Sequence, residues 1–571
     1  RYGSEKDNRG LSRRAFLTGI AGAGLLGATS GVLAGCAPSS NGAVLPTSGV
    51  AADGAGSAAA DWLGAPAEIA ASDVVNTIET EVLVVGAGTA GCFAACAAVE
   101  EGARTIVIDK QTEIGNGVRD TLAALNSKQQ REQGYTPDAF AVINEMTRHS
   151  SGYGDERLYK VWAEHSGEAI DWYTERVAEN GYVIRFEATE PGKLRIPHFD
   201  VGHSLQWLDP TDPNIGSFTM TSSFLLEYGK GLGLEVHMDT TMLQLSQEGE
   251  RVTGVYAETA DGIVQYVASK GVIICTGGYA ANNEMLEALQ PETLDMASVP
   301  YAFPTCTGDG IKAMLWAGAA MDPVHAGMIF DRGAVPPDST DLADGTMFWM
   351  GSQPFLKVDL DGNRFTNESG PYDFILHTAN GIREKTYCTV WDANYEEDMR
   401  VFDTHGCSRM YGYVNGALAV MPYDPVVKSM NADLLERGII VEAQTIEELA
   451  EKLNIPAEGF AATVARYNEL VDAGLDSDFG KDPHRLSHLN AAPFYGVRQR
   501  GGYFITTLDG VRIDTSMRVL NEAGNPIEGL YAAGDCSGGY YGISYINLLA
   551  GDAAGRSVTF GRLAGKVVGR L

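Results

Sequence analysis

Short apolar runs recur along the chain, and several of them lead directly into a glycine turn. Residues 82–85 form a wholly apolar run, residues 92–101 an alanine-rich helical stretch, and residues 103–109 a second strand-like run. Fully apolar runs of this length are typical of parallel strands that helices cover on both faces. Similar runs end at glycine turns within residues 272–279 and 529–535. The pattern predicts an α/β fold in which distant segments contribute strands to one sheet.

The composition is that of a globular protein with a strongly acidic balance. Of the 571 residues, 44% are hydrophobic and 20% are charged, which excludes wholesale disorder and a polytopic membrane protein. The formal net charge of −32 repels phosphate backbones, so no nucleic-acid partner is expected. The eight cysteines include no CxxC and no CxxCH spacing, so neither a metal site nor covalent haem is expected.

The first residues have the pattern of an export signal. Arg13 and Arg14 precede an uncharged run over residues 15–35 that is rich in Ala, Gly and Leu. A twin-arginine signal has this order of features. We therefore expect residues 1–35 to be a signal that directs the protein out of the cytoplasm.

The apolar run closes with the letters LAGC, which resemble the processing site of bacterial lipoproteins. The cysteine is Cys36, and small residues before a cysteine by chance are the alternative explanation. Residues 36–72 are rich in Ala, Gly, Ser and Pro and have no sustained apolar period, as in a flexible tether. The expected location is extracytoplasmic, with Cys36 lipid-anchored at the cell membrane.

A dinucleotide-binding motif follows the first strand. Gly86, Gly88 and Gly91 form a GxGxxG turn between a predicted strand and a predicted helix, and Asp109 ends the next strand. These glycines allow a tight turn and bring a pyrophosphate close to the helix N-terminus, while an acid ~20 residues later receives the ribose hydroxyls. The complete strand–turn–helix–strand context makes this motif specific.

The other end of the chain favours FAD over a nicotinamide dinucleotide. The run GLYAAGD at residues 529–535 is a strand that enters a glycine and an acid. In flavoproteins with two dinucleotide folds, such a segment returns to the first domain and contacts the flavin side of FAD. We expect strands within residues 78–110, 250–276 and 503–535 to share one sheet, interrupted by an insertion.

The chain resembles the fumarate reductase/succinate dehydrogenase flavoprotein family from about residue 78 onward. The motifs that carry this resemblance are GAGTAG from Gly86, CTGGYAANNEM from Cys275, TGDG from Thr307, DGNRFTNE from Asp361, TIEELAEKLNIP from Thr445, ARYNELV from Ala465 and GLYAAGD from Gly529. The resemblance implies a doubly wound, Rossmann-like FAD-binding domain with an inserted α+β capping domain. The implied boundaries are 73–323 and 491–571 for the FAD-binding domain and 324–490 for the cap.

The resemblance also implies which residues contact FAD, and the glycine turns add others. The candidate FAD-binding residues are Gly86, Gly88, Ala90, Gly91, Asp109, Lys110, Gly117, Val118, Ala123, Met242, Thr276, Gly277, Asp309, Gly534, Asp535 and Ala550. Membrane-bound members of the family attach FAD through a histidine after the second strand. Residues 111–130 contain no histidine, so non-covalent FAD is implied.

The sequence departs from the family where fumarate-reducing members hold two carboxylates. The positions of the two family arginines fall on Tyr372 and Tyr545, and a family histidine falls on Thr506. The family's proton-relay pair falls near Phe348 and Gly351. Without an arginine fork a carboxylate cannot be held through two parallel hydrogen bonds. We therefore expect no cationic group for a dicarboxylate, and we expect Phe348, Trp349 and Thr506 to contact substrate.

Tyrosines at these positions resemble those of the family's 3-ketosteroid dehydrogenases. The motif around Tyr372 reads NESGPY, and the last glycine-rich loop carries Tyr541 and Tyr545. The further glycine/proline motif of those dehydrogenases is absent, since residues 546–549 read INLL. The catalytic candidates are Tyr372 as proton donor, Tyr545 as the group that polarises the acceptor, and Tyr541. Simple packing of the tyrosines is the alternative.

These observations predict an exported FAD-dependent reductase of a conjugated alkene, with an uncharged or aromatic enone or enoate as substrate. The expected role is that of a terminal reductase in anaerobic respiration. Electrons are expected from a separate donor, either a membrane cytochrome or a flavin carrier. The alternatives are a 3-ketosteroid-type dehydrogenase and a flavin-carrying electron-transfer lipoprotein without alkene chemistry.

Overall fold

The structure is a computed structural model that describes residues 62–114, 121–189, 199–207, 218–300 and 303–571. The predicted signal, Cys36 and most of the predicted tether lie outside the described residues. No helix in the described part of the chain is long and apolar enough to cross a membrane.

The described residues contain strands in every part of the chain after residue 73. In chain order the strands are β1 Val74–Val85, β2 Thr105–Ile108, β3 Thr121–Ala123, β4 Tyr182–Phe186, β5 Gly202–Trp207, β6 Glu235–His237, β7 Thr241–Glu248, β8 Arg251–Thr259, β9 Gly262–Ile274, β10 Ala297–Pro300, β11 Gly327–Phe330, β12 Gly333–Val335, β13 Thr346–Met347, β14 Leu356–Asp359, β15 Thr386–Trp391, β16 Ile440–Ala443, β17 Phe494–Arg500, β18 Gly502–Thr507, β19 Arg518–Leu520 and β20 Pro526–Ala532.

The α-helices lie between groups of these strands and at the end of the chain. In chain order they are α1 Thr89–Glu100, α2 Lys128–Glu132, α3 Ala139–His149, α4 Glu156–Ala178, α5 Phe218–Gly231, α6 Asn283–Leu289, α7 Pro291–Met296, α8 Asp309–Trp316, α9 Tyr372–Ala379, α10 Tyr395–Phe402, α11 Lys428–Glu436, α12 Ile446–Leu453, α13 Ala457–Ala473 and α14 Asp552–Gly569.

A parallel sheet in the order β20-β9-β1-β2-β6 forms the centre of the molecule. The strand β19 pairs antiparallel with β20 at one edge, and β7 and β8 extend from β9 as an antiparallel ribbon. Because β1, β9 and β20 come from distant parts of the chain, the three predicted segments do build one sheet, although β18, at the start of the third segment, pairs with β10 and β11 in a separate sheet. Their apolar runs are buried on both faces, as the pattern predicted.

Helix α1 packs closely against α14 because both helices carry small residues at their contact. A Cβ on Gly565 would lie 2.1 Å from the carbonyl oxygen of Ala94, and one on Gly561 would lie 2.3 Å from that of Ala90. Every residue of α1 from Ala90 to Val99 is buried. The alanine-rich composition of residues 92–101 therefore reflects a helix enclosed on all sides.

The cap is built on a six-stranded antiparallel sheet in the order β13-β12-β17-β15-β14, with β16 also paired to β17. Helices α12 and α13 bury Leu449, Leu453 and Phe460 against one side of it. Thr445 begins α12 by accepting the Glu448 backbone N–H at 3.1 Å, and Asn454 ends it in a left-handed conformation. The TIEELAEKLN motif thus specifies one capped amphipathic helix.

The limits of the cap differ from the predicted boundaries at residues 324 and 490. Strand β17 pairs with β12, β15 and β16, so the cap sheet continues to Arg500. Strand β11 instead pairs with β18, in a small sheet whose side chains belong to the core of the FAD-binding domain. Strand pairing between distant segments decides both limits, and Gly501, with φ +65°, separates β17 from β18 at the second one.

Candidate active site

The turn from β1 into α1 depends on two glycines in close contact with neighbouring backbone. Gly86 has φ +97°, and a Cβ there would lie 2.5 Å from the Cys275 carbonyl oxygen. A Cβ on Gly91 would lie 1.8 Å from the Gly86 carbonyl oxygen. No side chain caps the N-terminus of α1, where Gly88 is the N-cap. The N-terminus of α1 therefore faces the cavity without a side-chain cap, as an anionic pyrophosphate requires.

The carboxylate of Asp109 braces this turn from the end of β2. One oxygen accepts the Ala87 backbone N–H at 2.7 Å, and the other accepts that of Gln111 at 2.8 Å. Nearby, the Lys110 ammonium forms a 2.7 Å salt bridge with Asp309, the first residue of α8. These groups line one end of an elongated cavity, at the carboxyl ends of the parallel strands. Dinucleotides bind at this edge in doubly wound folds.

The C-terminal segment lines the same cavity farther along. Asp535 accepts the Thr506 hydroxyl at 2.9 Å and lies 3.4 Å from the guanidinium of Arg556. Gly551 is the N-cap of α14, with φ +79° and no side-chain cap, so a second helix N-terminus opens onto the cavity. The uncapped N-terminus of α1, the N-terminus of α14 and two positioned carboxylates fit a bound dinucleotide such as FAD.

Most of the predicted FAD-binding residues line this cavity, and the others have different positions. The residues that line it are Gly86, Gly88, Ala90, Asp109, Lys110, Met242, Thr276, Gly277, Asp309, Gly534, Asp535 and Ala550. Gly91 and Ala123 do not line it. Gly91 packs against the carbonyl of Gly86, and the Ala123 backbone N–H donates to the Gly551 carbonyl at 2.9 Å. Gly117 and Val118 lie outside the described residues.

Tyr372 and Tyr545 both line the part of the cavity that lies next to the cap. The ring of Phe330 lies 4.6 Å from that of Tyr372 and 6.4 Å from that of Tyr545, between centroids. The Tyr372 hydroxyl accepts from the Ser408 hydroxyl at 2.7 Å. The Tyr545 hydroxyl accepts from the Ala553 backbone N–H at 3.5 Å. Since both oxygens accept, each tyrosine keeps its own O–H for a molecule in the cavity.

Burial keeps both tyrosines in their protonated form. Desolvation raises the pKa of Tyr372 well above the ordinary tyrosine value, and the neighbouring Cys407 raises it further, whereas Arg332 acts in the opposite direction. Desolvation likewise raises the pKa of Tyr545, together with the nearby Asp552 carboxyl. Both groups are therefore proton donors at neutral pH.

Of the remaining catalytic and substrate candidates, two line the cavity and two lie outside its wall. Trp349 lines the cavity, with its indole N–H donating to the Cys407 carbonyl at 3.0 Å. Thr506 also lines it, but its hydroxyl is committed to Asp535. Phe348 does not line the cavity and instead stacks on Trp391 in the cap core. Tyr541 is buried outside the cavity wall, with the Arg556 guanidinium 4.8 Å from its ring.

The expectation of a site without a cationic group is wrong, because Arg332 lies in the cavity wall beside Tyr372. Its side chain is fully buried, and its guanidinium carbon lies 3.9 Å from the centroid of the Trp349 ring. Counting along family motifs missed this residue, since it follows β11 and not the motifs around Tyr372 or Tyr545. Its position depends on Trp349 and Cys407, which other segments supply.

His405 is a second cavity-lining group that the sequence did not reveal. Its Nε2 lies 2.9 Å from the Asn547 carbonyl oxygen, so this nitrogen carries the hydrogen and donates. In the described part of the chain, no group of three or more His, Cys, Asp or Glu side chains is placed to hold a metal ion.

A family model described as "FAD binding domain" matches residues 81–551. The chain belongs to this family of FAD-binding proteins. The match covers both parts of the FAD-binding domain and the cap between them, and it shows that the protein binds FAD.

Three comparisons place the chain among related flavoproteins. It is 27% identical over 508 residues to a vinyl phenol reductase of Lactiplantibacillus plantarum, covering 85% of this chain and 95% of that protein. It is 27% identical over 490 residues to a probable fumarate reductase of Shewanella frigidimarina, covering 85% and 74% of the two chains. A solved 3-ketosteroid dehydrogenase from Rhodococcus jostii shares the fold, with a TM-score of 0.66, 22% identity, and coverage of 88% and 99%.

Replacing Gly86 by alanine is expected to abolish FAD binding. The new Cβ would require a strained left-handed residue and would collide with the Cys275 carbonyl, so the turn could not approach the pyrophosphate. The measurement is the ratio of flavin absorbance to protein in the purified variant. The control is Gly231→Ala, since no atom lies within 4 Å of a Cβ at that position. A Gly86→Ala protein with a full complement of FAD would contradict this role.

Proposed function

We propose that the protein is an FAD-dependent reductase of a conjugated alkene of the aromatic enone or enoate type. The observation that carries the proposal is the pair of free tyrosine hydroxyls at the cap end of an FAD cavity. Bound reduced FAD supplies a hydride to one alkene carbon. Tyr372 donates the proton to the neighbouring carbon, and Tyr545 donates a hydrogen bond to the acceptor group. Reductases of vinyl phenol and fumarate among the relatives support this reaction class.

The charges of the site disfavour a dicarboxylate such as fumarate. Of the described residues that line the cavity, only Lys110 and Arg332 carry a fixed positive charge. Lys110 is paired with Asp309 at the dinucleotide end, which leaves Arg332 alone near the tyrosines. A second substrate carboxylate would be buried without a cation, and burial of an unpaired charge is strongly unfavourable.

The raised tyrosine pKa values favour reduction over desaturation. A dehydrogenase would need Tyr372 as a base, and its deprotonated form is the one that burial disfavours. The protonated tyrosines therefore favour the reductive direction, although the overall architecture is shared with a 3-ketosteroid dehydrogenase.

We also propose that the enzyme works outside the cytoplasm as a terminal reductase. The twin arginines, the uncharged run and Cys36 support export and lipid anchoring. The sequence has no CxxCH motif for attached haem, which supports a separate electron donor, either a membrane cytochrome or a flavin carrier.

Tyr372→Phe is expected to lower turnover by about 10²–10⁴-fold while FAD stays bound, because the variant lacks the proton that completes the reaction. The measurement is kcat with reduced viologen as electron donor, alongside the flavin content. Tyr387→Phe is the matched control, since that buried hydroxyl has no hydrogen-bond partner among the described residues and does not line the cavity. Near wild-type turnover in Tyr372→Phe would remove the assignment.

A panel of alkenes is expected to separate the proposed substrate class from the alternatives. After the flavin is reduced with viologen, arylacrylates or aryl enones should reoxidise it rapidly, whereas fumarate should not. The measurement is the rate at which oxidised flavin absorbance returns without oxygen. If no alkene reoxidises the flavin faster than buffer does, the chain is an electron-transfer protein and the reductase proposal fails.

Cys36→Ser is expected to move the protein from the membrane fraction to the soluble extracytoplasmic fraction, because the acylated thiol would be lost. The measurement is fractionation of cells that express the full chain. Arg13→Lys with Arg14→Lys is the companion variant, and it should leave the protein inside the cell. Unchanged membrane association of Cys36→Ser would show that lipidation at this cysteine does not hold the protein.

A further inference from the structure

Arg332 is a buried cation whose protein contacts do not satisfy it. Its Nε donates to the Ser352 hydroxyl at 2.9 Å, and its Nη2 lies 3.2 Å from both the Cys407 carbonyl oxygen and the Ser408 hydroxyl. Its Nη1 has no acceptor among the described residues. All of these partners are neutral, so the contacts orient the guanidinium without balancing its charge.

Three aromatic rings hold the guanidinium in place. Its central carbon lies 3.9 Å from the centroid of Trp349, 4.9 Å from that of Phe330 and 5.9 Å from that of Tyr372. Cation–π contacts stabilise a buried arginine, but they provide no acceptor for its remaining N–H groups. The side chain is thus fully buried in the cavity wall, and its Nη1 is a donor without an acceptor among the described residues.

The acidic groups around the cavity are committed elsewhere. Asp309 pairs with Lys110, Asp535 with Arg556, and Asp109 with backbone N–H groups of the dinucleotide turn. The adjacent Asp331 carboxylate lies 3.7 Å from the ammonium of Lys357. Arg332 itself forms no salt bridge with any residue that the structure describes. The nearest carboxylate, that of Asp331, is shared with Lys357 and makes no hydrogen bond to Arg332, so a ligand carboxylate in the cavity would complete the charge balance.

We propose that Arg332 binds a carboxylate of the substrate through Nη1, and that the substrate is an aryl enoate with a single carboxylate. This assignment rests on the proposed function and narrows it. The guanidinium lies beside the ring of Tyr372, the proposed proton donor. A carboxylate bound there would be close to the carbon that Tyr372 protonates, so we expect it to be conjugated to the alkene. Trp349, Phe330 and Met328 in the wall provide an apolar surface for the aryl group.

The reaction balances with these groups. Hydride addition to the β-carbon breaks the C=C π bond and moves its electron pair onto the α-carbon and carboxylate, where Arg332 stabilises the negative charge. The α-carbon then takes the proton of Tyr372, which water must later replace. The alkene gains two electrons from reduced FAD, which the separate donor reduces again, and the carboxylate is released unchanged. Arg332 therefore stabilises the negative charge on the substrate carboxylate, and Tyr545 donates a further hydrogen bond to that carboxylate.

The test is ligand binding to the oxidised holoenzyme, without turnover. The probes are 3-phenylpropanoate and 3-phenylpropanamide, which share one skeleton and differ in charge. Binding is followed by the change in flavin absorbance. In the wild type the acid should bind at least tenfold more tightly than the amide. Arg332→Met should weaken acid binding by about 10²-fold and leave amide binding nearly unchanged, because only the acid needs the cation.

Two further variants separate this role from loss of structure. Arg332→Lys keeps the charge and should retain part of the preference for the acid. Arg498→Met is the matched control, since Arg498 is a buried arginine of the cap sheet that does not line the cavity and donates to the carbonyls of Leu453 and Asn454. This control should leave the ratio of acid to amide affinity unchanged.

The inference is overturned if the wild type binds the two probes equally or binds neither of them. It is also overturned if Arg332→Met leaves the ratio of acid to amide affinity unchanged. A loss of FAD or a shifted flavin potential in Arg332→Met at an unchanged ratio would also overturn it, by assigning the guanidinium to the flavin. Failure of the proposed function has a different result. In that case the wild type would still bind the acid more tightly than the amide and Arg332→Met would lose this preference, but no alkene would reoxidise the reduced flavin.

Discussion

The close approach of backbone to backbone at the turn between β1 and α1 is the constraint on which the rest of the structure depends. Gly86 lies against the Cys275 carbonyl, and Gly91 lies against the carbonyl of Gly86, at separations that leave no room for a side chain. This contact places the N-terminus of α1 at the edge of the central sheet. Strand β9, which ends just before Cys275, pairs with β1 beside this contact. The FAD cavity exists because these segments meet at that edge.

The second organising feature is the position of the cap over this edge. The cap contributes Trp349, Tyr372, His405 and Cys407 to the cavity wall, and the FAD-binding domain contributes Tyr545. The wall is mainly aromatic and apolar around the tyrosines, so water is displaced and the phenolic protons are retained. Desolvation thus keeps the tyrosines protonated. It also strengthens the attraction between the buried Arg332 guanidinium and an anionic ligand. Chemistry at this end of the cavity follows from burial more than from any charge network.

Packing explains why some candidate residues serve structure instead of chemistry. Phe348 and Trp349 are adjacent in the sequence, yet the short 3₁₀ turn at Trp349–Ser352 sends one ring into the cap core and the other to the cavity. Tyr541 and Tyr545 share one loop, and only the second lines the cavity. Spacing within a motif does not resolve such differences, because they depend on which neighbouring segment covers each side chain.

The sequence by itself determined the α/β class, the dinucleotide turn, the acid after the second strand and the return of the C-terminal segment to the first sheet. The turn and the acid are local features, since glycine spacing and apolar runs act through backbone geometry within a few residues, whereas the return of the C-terminal segment rests on the resemblance to known flavoproteins. The sequence also predicted Tyr372 and Tyr545 as catalytic candidates from their offsets to family motifs, and both line the cavity. Only the tertiary structure decided the limits of the cap and the role of Arg332. Those depend on pairing and burial between segments such as residues 327–335, 349–352 and 405–408, which are far apart along the chain and become neighbours only when it folds.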